Sequence, residues 1–192
     1  MVLDEQGYLR LTDFGIARSQ KDKNNLDASG TPGYMAPEVI CKQVHSFPVD
    51  FYAIGIISYE LMMGKRPYNG QNRAEIRDAI LSKQHAVKKK EIPADWSLES
   101  ADFINRLILR QPSNRLGSKN GVSELISHPW FKNFPWKEFE MKKIISPVRK
   151  KELKTDRMSL FNEYDETVNQ YRLLQRTDEK VDIFGGYFSN FR

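Results

Sequence analysis

This chain of 192 residues contains almost no cysteine and no long apolar run. The single cysteine, Cys41, excludes an internal disulfide and a zinc site built from several cysteines, so a reducing compartment is expected. The longest largely apolar run, residues 51–59, is far shorter than the ~20 residues of a membrane-spanning helix. The first residues lack the basic flank and apolar stretch of a signal peptide. We therefore expect an intracellular, cytoplasmic protein without a membrane span, with a nuclear location left open.

Positive charge is concentrated in one stretch of the sequence. Residues 137–157 carry 8 Lys and Arg against 4 Asp and Glu, a balance of +4, while the whole chain carries +5. Such a run can contact nucleic acid or an acidic lipid surface, but it is more often a solvated connector. We favour the connector and predict no nucleic-acid partner.

Helical patterns dominate the middle of the chain. Two short β-prone runs on either side of a turn that ends in Gly7 predict a hairpin over residues 1–12. Four helices are predicted from apolar spacing and capping residues, over residues 48–64, 73–83, 98–110 and 121–127. The first is apolar on nearly every face and is expected to be buried all round. In the last helix the residues expected to face inward are Val122, Leu125 and Ile126.

The predicted helix ends carry capping residues. Pro48 suits the first turn of the first helix, and Gly64 lies where a C-terminal cap is expected. Asn72 and Glu75 have the spacing of a capping pair for the second helix. Ser97 can cap the third helix. The fold is therefore predicted to be mainly α with one short β-hairpin.

A set of motifs follows a definite order along the chain. An Asp-Phe-Gly triplet at residues 13–15 follows the second strand, and a polar stretch at 18–33 is predicted to be a mobile loop. Residues 30–38 read Gly-Thr-Pro-Gly-Tyr-Met-Ala-Pro-Glu. Asp50 heads the apolar helix, and Arg115 follows the third helix. Together and in this order, these motifs resemble the C-terminal lobe of a eukaryotic protein kinase.

Further motifs narrow the resemblance to the AGC group of Ser/Thr kinases. Arg-Leu-Gly at residues 115–117 is similar to that group, and His-Pro-Trp-Phe at 128–131 resembles the usual end of a kinase domain. Phe-Asn-Glu-Tyr at 161–164 resembles an element of the AGC tail. The resemblance implies the C-terminal (large) lobe of the kinase fold over residues 1–131, followed by an extended C-terminal tail over residues 132–192.

The resemblance also implies roles for the motif residues. Asp13 would ligate the Mg²⁺ that bridges the ATP phosphates, because a hard cation prefers carboxylate oxygen. Thr31, the second implied catalytic residue, would belong to the segment that holds the substrate next to the acceptor hydroxyl. The implied cofactor contacts are Asp13, Phe14, Gly15 and, from the tail, Phe161. The implied activation-loop residues are Asp27, Ser29, Thr31 and Glu38. The implied contacts to a protein substrate are Ala28, Pro32, Met35, Glu60 and Tyr164.

The substrate is expected to offer a Ser or Thr acceptor. Glu60 matches a family position that binds an Arg upstream of the acceptor, which suggests a basic substrate. Gly33 stands where well-known members have a second acid, so an ordinary helix-end carboxylate is an equally open interpretation of Glu60. Glu38 and Arg115 are expected to form an internal ion pair. Asp50 is expected to hydrogen-bond the backbone of the family's catalytic loop.

Asp27 is the most informative departure from the family pattern. It stands where AGC kinases commonly carry a Thr whose phosphate orders the loop through Arg. We favour the hypothesis that Asp27 supplies a permanent, weaker negative charge in place of that phosphate. The alternative is that the loop is one residue longer than in the prototype and Asp27 is merely solvated.

The remaining parts of the family's active site are not found in this sequence. In relatives the Gly-rich loop, the strand Lys with its Glu partner, and the His-Arg-Asp loop all precede the residue equivalent to Asp13. ATP and Mg²⁺ are therefore expected to bind only together with the missing N-terminal lobe. Two interpretations stay open: a Ser/Thr protein kinase, truncated here and inactive as this chain alone, and a non-catalytic, pseudokinase-like docking or scaffold module.

Overall fold

The computed structural model describes residues 1–19 and 28–147, which fall into two compact units. The first unit holds residues 1–13 and 136–147, and the second holds residues 14–19 and 28–135. The described α-helices are α1 (Pro37–Ile40), α2 (Pro48–Met63), α3 (Arg73–Ser82), α4 (Leu98–Leu107), α5 (Val122–Ile126) and α6 (Trp136–Glu140). The strands are β1 (Val2–Leu3) and β2 (Leu9–Arg10). Three residues assigned roles above, Asp27, Phe161 and Tyr164, lie outside the described residues.

The predicted hairpin is confirmed, with strands of two residues each. β1 and β2 pair antiparallel, with Leu3 opposite Leu9. The turn is closed by the Asp4 carboxylate, which accepts the backbone N–H of Tyr8 at 2.8 Å. Gly7 has a φ of 80°, a conformation that costs glycine little. In the same unit, the Tyr8 hydroxyl donates to the Ile144 carbonyl at 2.5 Å, so the residues after α6 pack on the hairpin.

Helix α2 is the central helix of the second unit. It begins at Pro48 and ends before Gly64, whose left-handed φ of 67° caps it as predicted. Ile56 is fully buried, but Ile54 is 41% exposed, so the expectation of burial on every face is wrong. The buried face meets α4 closely at Gly55, where a Cβ would lie 2.7 Å from Leu107 Cβ. Of the residues of α2, only Asp50 and Ile54 are exposed.

The capping pair of α3 is present as predicted. Asn72 Oδ1 accepts the Glu75 backbone N–H at 3.0 Å, and the Glu75 carboxylate in return accepts the Gln71 backbone N–H at 2.8 Å. Each bond pairs a backbone donor that has no partner inside the helix.

Helix α4 ends at Leu107, three residues before the predicted end. Its N-cap is as predicted, because Ser97 Oγ accepts the Ser100 backbone N–H at 3.2 Å. The carbonyls after it bond side chains from elsewhere: Gln84 Nε2 donates to Ile108 O at 3.0 Å, and Arg115 Nε donates to Leu109 O at 3.1 Å. These side-chain donors replace the hydrogen bonds of a further helical turn.

Helix α5 buries fewer residues than its pattern predicts. Leu125 is buried, but Val122 is 62% exposed and Ile126 is 38% exposed, so their inward orientation is wrong. A helix of five residues presents little more than one turn. Leu125 alone reaches the apolar cluster formed with Phe51, Phe103, Leu107 and Leu116.

The main core of the second unit lies between α2 and α4. Its fully buried members include Tyr52, Ile56, Ile80, Ile104 and Ile108. No helix of the described ranges, 1–19 and 28–147, is long and apolar enough to cross a membrane.

Candidate functional site

A buried ion pair fixes the C-terminal end of the Gly30–Glu38 segment. Arg115 Nη1 lies 2.8 Å from Glu38 Oε1, and Arg115 Nη2 lies 3.1 Å from Glu38 Oε2. The Arg115 side chain is fully buried and that of Glu38 is 5% exposed. The two residues are 77 positions apart in sequence, and their predicted pairing is confirmed.

Arg115 also binds the helices around this pair. Its Nη1 donates to the carbonyl of Pro48 at the start of α2, at 2.7 Å, and its Nε donates to the carbonyl of Leu109 after α4. The guanidinium carbon lies 5.0 Å from the centre of the Tyr52 ring. A guanidinium with a bidentate carboxylate and further carbonyl partners meets the conditions under which a buried charge is tolerated. Arg115 therefore joins α1, the start of α2 and the end of α4.

The Gly30–Glu38 segment is also fastened to the end of α2. Pro32–Tyr34 forms one 3-10 turn, and the Tyr34 hydroxyl donates to Glu60 Oε2 at 2.6 Å. Pro32 and Met35 are half-buried, whereas Thr31 is exposed. The exposed hydroxyl of Thr31 thus lies beside an anchored turn. Ala28 and Ser29, which come before the segment, are exposed as well.

Arg66 completes this site and was not found from the sequence. It follows α2, and a Cβ on Gly33 would collide with its guanidinium, with Arg66 Cδ and Cζ only 3.3 Å away. The guanidinium carbon lies 5.7 Å from the centre of the Tyr34 ring. The sequence signal that could have indicated Arg66 is Gly33, since a position without a side chain leaves room for the side chain of another residue.

Asp13 belongs to the first unit, and Phe14 is the first residue of the second unit. Asp13 is exposed and has a φ of 62°, a left-handed conformation that Asp tolerates better than most residues. Phe14 is 68% exposed, and Gly15 is exposed too. The described residues contain no group of three or more His, Cys, Asp or Glu that could hold a metal by themselves. A single carboxylate suits Mg²⁺ held mainly by nucleotide phosphates and water.

Asp50 lies in the first turn of α2, where its charge is favourable to the helix dipole. Neighbouring atoms desolvate the carboxyl group and raise its pKa. Within the part of the chain that the structure describes, this carboxylate accepts no hydrogen bond. Its expected bond to a catalytic loop stays a prediction.

Similarity to known proteins extends over most of the chain. The family model described as "Protein kinase domain" matches residues 1–131, well over half of the chain. The chain is 36% identical over 152 residues to cGMP-dependent protein kinase 2 of Mus musculus, covering 78% of this chain and 20% of that protein. It is 30% identical over 185 residues to a Caenorhabditis elegans protein, "cAMP-dependent protein kinase, catalytic subunit-like", covering 96% of this chain and 44% of that protein.

The name of a third relative includes a substrate, ribosomal protein S6. The chain is 34% identical over 152 residues to Ribosomal protein S6 kinase 2 alpha of Gallus gallus, covering 78% of this chain and 20% of that protein. The chain thus spans less than half the length of each of these curated relatives.

Proposed function

The chain belongs to the protein kinase family, among kinases of the AGC type, and from that premise we propose that it carries the substrate-docking part of a protein Ser/Thr kinase. Such a kinase would transfer the γ-phosphate of ATP to a Ser or Thr of a protein substrate. The observation that carries the proposal is the fastening of the Gly30–Glu38 segment at two points, its middle and its C-terminal end. Glu38 is bound by buried Arg115, and Tyr34 is bound by Glu60.

This double attachment suits a surface that orients a protein substrate. Phosphoryl transfer depends mostly on positioning and electrostatics, so the segment beside the acceptor has to be rigid. Thr31 stands exposed at the start of the anchored turn, and half-buried Pro32 and Met35 would line a pocket for an apolar residue after the acceptor. Glu60 contributes the negative charge on which an upstream Arg of the substrate would be bound.

Mg²⁺ bound to the ATP phosphates would neutralise the charge that develops on the transferred group. The ligand on this chain would be the carboxylate of Asp13, which follows the hairpin and is exposed. Gly15 supplies backbone freedom after Phe14.

We propose further that residues 1–131 correspond to the large lobe of a kinase and residues 132–192 to an AGC-type tail. The proposal is supported by the mainly helical fold with one hairpin, and by the motif at residues 161–164. The low cysteine content suggests a cytoplasmic location, with the nucleus left open.

The proposed function is tested in the native protein, whatever its full length. Asp13→Asn keeps the size of the side chain and removes its charge, so kcat for phosphate transfer to protein Ser or Thr is expected to fall by about 100-fold. Asp78→Asn is the matched control, because it removes the same charge from an exposed position on α3 and is expected to leave kcat unchanged. Transfer is measured with labelled ATP.

A second measurement tests whether this chain binds ATP by itself, and phosphate transfer separates a kinase from a docking module. The 192-residue polypeptide alone is expected to show no Mg²⁺-dependent ATP binding in the micromolar range, since the family's other nucleotide contacts lie outside its sequence. Micromolar binding would contradict that expectation. If the native protein transfers no phosphate but still binds protein substrates, the kinase proposal is wrong and the scaffold interpretation replaces it.

Asp27 is proposed to replace an activating phosphate. In the native protein, Asp27→Ala is expected to lower kinase activity several-fold, because the negative charge that orders the loop is lost. Asp27→Glu, which keeps the charge, is expected to retain activity. An unchanged rate for Asp27→Ala would show that this carboxylate is merely solvated.

A further inference from the structure

The position beside the anchored turn is occupied by a basic side chain. Gly33 is buried although it has no side chain, because Arg66 fills the space where one would project. The Arg66 guanidinium also lies over the Tyr34 ring, with 5.7 Å between the guanidinium carbon and the ring centre. Stacking on an aromatic face fixes the orientation of a guanidinium without using its N–H donors.

The N–H donors of the Arg66 guanidinium lack a carboxylate partner in residues 1–19 and 28–147. The ion pairs of the described residues involve other basic side chains: Arg10, Arg77, Arg106, Arg115 and His128. Glu60, the acid attached to the same turn, accepts a hydrogen bond from the Tyr34 hydroxyl. The Tyr34 side chain therefore contacts the negative carboxylate of Glu60 through its hydroxyl and the positive guanidinium of Arg66 through its ring face.

We propose that Arg66 is a specificity-determining residue that recognises an anionic side chain of the protein substrate, close to the phosphate acceptor. The inference rests on the proposed substrate-docking role of the Gly30–Glu38 segment. Charge complementarity identifies the substrate group as an anion, since a fixed guanidinium binds a carboxylate or a phosphate in bidentate geometry and repels Lys or Arg. Together with Glu60, Arg66 makes this surface select a substrate of mixed charge.

The test compares short peptides with one Ser acceptor followed by Ile. A single Asp, Lys or Gln is placed in turn at each position on either side of the Ser. Binding to the 192-residue chain is followed through the NMR signals of the Gly33 amide and the Arg66 side chain. At one position or more, the Asp peptide is expected to bind about threefold to fivefold more tightly than the Lys peptide, which is the size of effect that a partly exposed ion pair gives.

Two variants distinguish Arg66 from the general charge of the surface. Arg66→Gln is expected to abolish the preference for Asp, while Lys65→Gln, which removes the same charge from the exposed neighbouring residue, is expected to keep it. The circular dichroism of both variants should match that of the parent chain. A phosphoserine peptide compared with the Asp peptide shows whether phosphate or carboxylate is the better ligand, and stronger binding of either supports the proposal.

The contrary results fall into two kinds. If peptides bind but Asp and Lys are equivalent, or if Arg66→Gln leaves the preference intact, the role of Arg66 is wrong and the docking surface stands. If no peptide of any charge perturbs the Gly33 signal, the docking role itself fails, and the inference fails with it.

Discussion

Glu38→Ala is expected to lower the free energy of unfolding by about 3–5 kcal/mol, because it leaves the charge of Arg115 buried without its partner. The Arg115 side chain is fully buried in the native fold, so water cannot replace the lost carboxylate. Its remaining acceptors, the carbonyls of Pro48 and Leu109, are dipoles and compensate a full charge only in part. The loss should appear in urea denaturation as a lower midpoint with an unchanged slope.

Asp78→Ala provides the matched control for this experiment. It breaks the ion pair of Arg77 with Asp78, which has a similar N–O distance of 3.0 Å, but whose side chains are 55% and 66% exposed. A surface pair of this kind contributes at most about 1 kcal/mol. If Glu38→Ala were no more destabilising than Asp78→Ala, the structural importance of the buried pair would be refuted.

Glu38→Gln separates the charge from the hydrogen bonds of the same pair. The amide oxygen can still accept from Arg115, so the loss should be smaller than for Glu38→Ala. Since the pair fixes the Gly30–Glu38 segment to α2, both variants should also broaden the NMR signals of that segment. Broadening without loss of global stability would show that the pair acts locally.

The extent to which the site could be predicted depends on whether its contacts follow a pattern in the sequence. Glu38 and Arg115 each belong to a motif, and the order of those motifs indicated their pairing over 77 positions. Arg66 belongs to no motif, and its contact depends on Gly33 having no side chain. A contact made by filling an empty space has no spacing or composition that marks it.

The fold shows the same division between local and distant determinants. The ends of α2 and the cap of α3 were predicted because Pro48, Gly64 and Asn72 act within one turn of where they stand. The end of α4 was not, because the groups that bind its last carbonyls, including Gln84, come from distant parts of the chain. Helix-forming residues beyond Leu107 cannot reveal such competition.

Ile104→Ala is expected to destabilise the chain by about 2–5 kcal/mol, because it opens a cavity between α2 and α4. Ile104 is fully buried in the main core and lies beside the close approach of Leu107 to Gly55. That approach leaves α4 little freedom to move inward, so the cavity should collapse poorly and the cost should lie in the upper part of the range. The measurement is again the urea midpoint at an unchanged slope.

Val122→Ala is the control that distinguishes burial from helical pattern. The apolar pattern assigned Val122 to an inward face, but Val122 is 62% exposed, whereas Ile104 is fully buried. Its truncation is expected to change stability by less than about 0.5 kcal/mol. A loss for Val122→Ala comparable with that of Ile104→Ala would mean that α5 buries its whole apolar face in solution, and the described orientation of α5 would then be wrong. The two variants thus test whether apolar spacing predicts burial. In α5 it should fail, because a helix of five residues brings only Leu125 into the core.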